Sequence, residues 1–175
     1  FATIQTDNSS FNPQRSMPNS ISFYNSGADT GKLLLVSPEI LDLDTTKRIR
    51  FYMQNEGNTA YTSDLIIGTM SDPSDVTTFT PFTTIFNSAF NSSNWQEIIV
   101  SFDSYTGSDH YIALGHGLNS TFDYMWMDDF FYEEIPSCIA PTALNATNIL
   151  TDSATISWTA GGSETLWNIQ WGTLG

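Results

Sequence analysis

Apolar and polar residues alternate along most of this chain, in runs too short for helices and separated by clusters of Asn, Ser, Asp, Gly and Pro. Ile21 and Phe23 alternate with Ser22 and Tyr24, a period of two that predicts a short strand. Lys32 to Val36 is a continuous apolar run stopped by Ser37-Pro38, which predicts a strand covered on both faces. Arg48 to Met53 alternates cleanly, with Ile49, Phe51 and Met53 on one face. Further strands are expected at 64–68, 95–100 and 111–114. Residues 124–132 (Tyr-Met-Trp-Met-Asp-Asp-Phe-Phe-Tyr) then form an aromatic strand with two carboxylates at its centre. These are at least seven short strands at fairly even spacing, without an amphipathic helix, the signature of an all-β sandwich or jelly roll.

The composition shifts after Ile135-Pro136-Ser137. Residues 138–175 hold no Lys or Arg and only two acids, Asp152 and Glu164. Ala154, Ile156 and Trp158 alternate as in a half-buried strand, and Trp167, Ile169 and Trp171 repeat the pattern after Gly161-Gly162. The chain is expected to divide into a domain at 1–136 and the start of another at 137–175; so few strands do not close a sandwich, so the second domain is cut short or packs on the first.

Charge narrows the partners. Five basic residues face nineteen acidic ones, a formal net charge of -14. That balance argues against nucleic acid, whose phosphates need Lys and Arg, and against anionic membrane surfaces. No apolar run reaches the ~18 residues of a membrane span. The one cysteine, Cys138, forms no intrachain disulfide.

Two resemblances follow from particular motifs. Ala140 to Leu144, Ser153 to Trp158 and Leu166 to Gly172 resemble the first three strands of a fibronectin type III domain, an immunoglobulin-like sandwich. Leu34-Leu35-Val36-Ser37-Pro38-Glu39-Ile40, Ile67 to Pro73 with Thr78-Phe79, Trp95, Tyr111 to Leu114 and the Asp128-Asp129 strand, in that order, resemble the MAM-like jelly rolls of bacterial surface proteins. These include the cleaved-adhesin and choice-of-anchor modules of Bacteroidetes proteins exported by type IX secretion. The resemblance implies a secreted or cell-surface location and further domains in the same polypeptide. Members usually carry a longer N-terminal part that adds residues near a metal.

Asp128 and Asp129 are the sharpest candidates, because carboxylates in an apolar strand need a partner. The resemblance implies structural Ca²⁺ there, which takes six to eight oxygen ligands. Asp7, Asp29 or Asp42 are possible further donors. Adjacent strand residues point to opposite faces, so both aspartates reach one ion only if a bulge re-aims one of them. Trp126 with Tyr124, and Tyr52 or Tyr61 near a polar loop, are candidates for stacking on sugar rings, although such rings most often serve as core. Trp95 reads as core.

No His-Glu-x-x-His, Gly-x-Ser-x-Gly or phosphate loop is present, and His110 and His116 read as solvated loop residues, so no catalytic residue is assigned. Asp44-Thr45-Thr46 and Asp152-Ser153-Ala154 match the O-glycosylation motif implied by the Bacteroidetes resemblance, with Thr45 and Ser153 as acceptors. The expectation is a non-catalytic, calcium-stabilised module that recognises a glycan or a cell-surface protein. The alternatives are a stalk spacer and an accessory domain of a secreted hydrolase or peptidase.

Overall fold

A computed structural model describes residues 2–5, 13–27, 33–138, 140–170 and 172. The chain divides into two compact units, 1–135 and 136–175. Among the described residues the first unit is an all-β sandwich of nine antiparallel strands in two sheets. One sheet runs β1 (Ala2–Gln5), β2 (Ser20–Asn25), β9 (Asp123–Glu134), β4 (Lys47–Gln54), β7 (Gln96–Ser101). The other runs β3 (Leu34–Val36), β8 (Tyr111–His116), β5 (Leu65–Met70), β6 (Thr80–Ile85). Among the described residues no helix is long and apolar enough to cross a membrane. β1 and β6 were not expected as strands, because β1 lies in a polar stretch and β6 is rich in Thr with a Pro.

Alternation sets which side chains enter the core. Phe23, Ile49, Phe51, Met53, Leu65, Ile67, Ile112, Leu114, Met125 and Met127 meet between the sheets, each no more than 2% exposed. Their neighbours in sequence therefore stand on the outer faces. The apolar run at 34–36 is covered on both sides, as expected. Leu35 packs toward the core between the sheets, while Leu34 and Val36 join Met70, Phe79 and Ala113 in a smaller cluster. Phe79 reaches that cluster over Gly68, where an added Cβ would lie 2.5 Å from the ring.

β9 is the last strand of the unit in sequence but the middle strand of its sheet. Its first half pairs with β2 and most of its length pairs with β4. The ladder with β4 breaks once: Arg50 faces Phe131 and Tyr52 faces Asp128, so Phe51 opposes both Asp129 and Phe130. Asp129 sits at φ 49. This is a β-bulge, and it shifts the phase of the strand. Met125 and Met127 face the core before it, Phe130 and Tyr132 pack against the core after it, and Asp129 escapes a position that strict alternation would bury.

In the second unit β10 (Thr142–Thr147) and β11 (Thr155–Thr159) form an antiparallel pair. β10 starts later than the expected 140–144 strand and carries an irregularity near Ala143, at φ 54. The expected half-burial of 154–158 holds only at Trp158; Ala154 and Ile156 are exposed, because a two-stranded sheet has no facing layer here to bury them. The strand expected around Trp167 to Trp171 does not form over 164–170, and Trp171 lies outside the described residues. Trp167 instead meets Trp158 edge-on at 5.4 Å.

Candidate functional site

The outer face of the five-stranded sheet gathers most of the polar and aromatic candidates. Asp128 is 8% exposed and its register partner on β4 is Tyr52. A turn at 13–19 folds over this part of the face. The backbone N–H groups of Arg15 and Ser16 donate to Asp128 Oδ2 at 2.8 and 3.0 Å, and the N–H of Asp129 donates to Asp128 Oδ1 at 2.7 Å. The Arg15 guanidinium pairs with Asp129, and the Ser16 hydroxyl donates to Asp129 as well. The same guanidinium lies 3.5 Å from the centre of the Tyr52 ring, a cation–π contact. The turn is closed by Gln14 on the Pro18 carbonyl (2.7 Å) and Ser20 on the Pro13 carbonyl (2.8 Å).

The bulge thus brings both carboxylates to one place, where a guanidinium meets Asp129 and backbone N–H groups meet Asp128. The Ser16 hydroxyl, followed by Arg15, holds the Asp129 carboxyl below its ordinary range against the opposing effect of burial. Backbone N–H groups, a guanidinium and the Ser16 hydroxyl, all acting as donors, surround the two carboxylates. Among the described residues no three His, Cys, Asp or Glu side chains gather around a common point. Asp42 is engaged elsewhere, with Lys47 at 2.9 Å, and Asp7 and Asp29 lie outside the described residues. The described residues therefore do not make the oxygen cage calcium needs.

Further along the face, β4 and β9 exchange charges. Arg48 grips Glu133 through two nitrogens at 2.6 and 2.9 Å, and Arg50 reaches Glu133 at 3.2 Å and Glu97 at 3.6 Å. Arg50, then Arg48, hold the Glu133 carboxyl below its ordinary range. At the end of the strand Lys47 pairs with Glu134, and burial pushes the Tyr132 phenol up to about 12.

At the other end of β9 the aromatic candidates meet. Tyr24 and Tyr124 are register partners and stack at 4.2 Å; Tyr124 stacks on Trp126 at 5.2 Å and 9°. Tyr61, from the 55–64 loop, leans on Tyr124 at 6.0 Å. Desolvation raises the phenols of both Tyr61 and Tyr124. Tyr24, Tyr61 and Tyr124 are half-buried, whereas Trp126 is only 3% exposed and its Nε1 has no acceptor among the described residues. Trp126 therefore backs the cluster without offering a face to solvent, and Arg15 covers the Tyr52 ring.

Three residues around these sites were not legible as site residues. Asp123, 1% exposed, accepts from the Thr62 and Ser63 N–H groups at 3.1 and 2.8 Å and from the Ser120 hydroxyl at 2.6 Å, tying the Tyr61 loop to β9. Arg15 and Ser16 sit in a polar turn whose one distinguishing mark is the only basic residue before Lys32. Trp95 is half-buried, not core, and its indole N–H faces the Gln54 side-chain oxygen at 3.1 Å. His116 is buried at the end of β8, where its Nδ1 accepts from Leu118 N–H at 3.0 Å; His110 and Cys138 are exposed. Thr45 and Ser153 are both exposed, in turn or irregular segments.

No protein-family model and no curated protein matches this sequence. Solved structures do match it. The K1 cleaved adhesin domain of Lys-gingipain from Porphyromonas gingivalis superposes with a TM-score of 0.50 at 15% identity, over 68% of this chain and 76% of that one. The likeness is one of fold. The K3 cleaved adhesin domain of Lys-gingipain gives 0.51 at 16% identity, over 66% and 74%. A carbohydrate-binding module, TmCBM61, solved with β-1,4-galactotriose, gives 0.50 at 11% identity, over 77% and 82%. All three share the antiparallel β-sandwich architecture described above.

Proposed function

We propose that this chain is a non-catalytic extracellular recognition module that binds a glycan at the tyrosine cluster of the five-stranded sheet. One observation carries the reading: three half-buried tyrosines from separate segments meet at Tyr124, on which Tyr24 stacks and Tyr61 leans, and Tyr124 in turn stacks on the buried Trp126, whose N–H has no acceptor among the described residues. Aromatic edges and phenol hydroxyls suit a ligand with apolar C–H faces and many hydroxyls. The Asp123 anchor holds the Tyr61 loop in place, so little ordering would be needed on binding. The fold shared with adhesin domains and with a galactotriose-binding module is consistent with this use.

Isothermal titration with galactotriose and a panel of other oligosaccharides tests it. Saturable binding that Tyr124→Ala and Tyr61→Ala each weaken, with the fold intact by circular dichroism, is the expected result. Absence of binding across a glycan array would sink it and favour a spacer role. That second reading has its own support, because the stacked rings spend much of their face area on one another.

A further inference from the structure

We propose a second, separate sugar site in the cleft between β6 and the loop that joins β7 to β8. The cleft has a volume of about 430 Å³, and Thr69, Thr80, Phe82, Tyr105, Ser108 and Asp109 are among its lining residues. It shares no residue with the tyrosine cluster, and it stands whether or not that cluster binds glycan.

Hydrogen-bond accounting identifies the ligand chemistry. The Asp109 N–H donates to the Tyr105 phenol oxygen at 2.8 Å, which leaves the phenol its own proton to give. Thr69 donates to Asp109 Oδ2 at 2.6 Å, and Oδ1 of the same carboxylate takes no donor among the described residues. Tyr105 is 8% exposed, so a ligand meets only the edge of its phenol; with Asp109, Thr80 and Ser108 also lining the cleft, a donor and acceptors lie close together. A pair of adjacent sugar hydroxyls complements this, since each hydroxyl both gives and accepts. An anion meets a carboxylate on a chain of net charge -14, and so is disfavoured.

Two further features suit a sugar ring. Phe82 is half-buried and stacks on Phe102 at 5.1 Å, placing a fixed apolar wall in the cleft for ring C–H groups. Gly107 lets the loop backbone lie against Tyr105: an added Cβ would stand 2.5 Å from the phenol oxygen. The position of the donor is therefore set by the loop before any ligand arrives.

Amide chemical shifts of the isotope-labelled chain, titrated with cellobiose and with galactobiose at millimolar concentrations, test the proposal. Saturable shifts at Thr80, Thr106, Ser108 and Asp109 with at least one sugar are expected. They should persist in Tyr124→Ala, which separates this site from the tyrosine cluster. Asp109→Asn, which keeps an acceptor for Thr69, and Tyr105→Phe should each weaken binding by roughly tenfold. Failure of both sugars to shift these amides overturns the proposal, as does unchanged affinity in both variants. If a variant unfolds, the wild-type shift map decides alone, and shifts confined to Tyr24, Tyr61 and Tyr124 overturn it.

Discussion

Arg15 closes on Asp129 across 114 positions of sequence, and through this contact the N-terminal turn is tied to the central strand of the sandwich. The contact exists because a bulge opposite Phe51 turns Asp129 out of the core and beside Asp128. The apolar strand carries two carboxylates without burying an unpaired charge, since backbone N–H groups satisfy one and a guanidinium with a hydroxyl the other.

The tie should depend on pH in one direction. The Asp129 carboxyl is held below its ordinary 3.8, so its contribution is full above that value and is lost as pH falls through the lower folded value. Arg15→Ala should cost about 0.5–1 kcal/mol at neutral pH, a modest figure because the guanidinium is partly exposed. Urea melts of both proteins across the acid range check this: the difference should shrink as Asp129 protonates.

Backbone conformation makes position 129 selective. Its φ of 49 is tolerated by Asn, Asp and Gly but strained for a β-branched residue. Asp129→Val should therefore destabilise by about 1–3 kcal/mol from backbone strain alone, in addition to the lost pair. Asp129→Gly should relieve the strain and lose only the pair. Comparing the two by denaturant titration separates the terms, and equal losses would mean that the bulge does not require this conformation.

Arg15 occupies the Asp129 carboxylate that the sequence offers to calcium. An ion at Asp128 and Asp129 has to displace the guanidinium, so terbium or calcium titrations should show tighter binding to Arg15→Ala than to the wild type. Equal affinity in the two proteins would place any bound calcium away from this pair.

Gly68 lets Phe79 lie on the outer face of the four-stranded sheet. Gly68→Ala puts a methyl where the ring and the Thr80 carbonyl already stand, each 2.5 Å from the new carbon. A loss of about 1–3 kcal/mol is expected from overpacking. Gly68→Ala combined with Phe79→Ala should recover part of it in a double-mutant cycle.

How much of this was legible in the chain differs from segment to segment. The alternation of Ile49, Phe51 and Met53 placed β4, and the run at Leu34 to Val36 foretold a strand covered on both faces. The phase slip from Met125 and Met127 to Phe130 and Tyr132 is also written in the residues, and it marks the bulge once the strand is known to pair with β4. Thr-rich β6 and polar β1 were hidden, because an edge strand needs little apolar patterning of its own. The tail misled for the opposite reason. Ile156 and Ile169 have the period of a buried strand, yet among the described residues no facing sheet buries them.

Local sequence thus determined the strands with one apolar face, because period two is imposed by the pleat of the backbone itself. Only tertiary structure decided that Arg15 meets Asp129, that Tyr24 and Tyr61 gather at Tyr124, and that Asp109 and Tyr105 share a cleft with Phe82. Those relationships join segments tens of residues apart. They depend on sheet order and loop placement, which no local pattern of apolar and polar positions records.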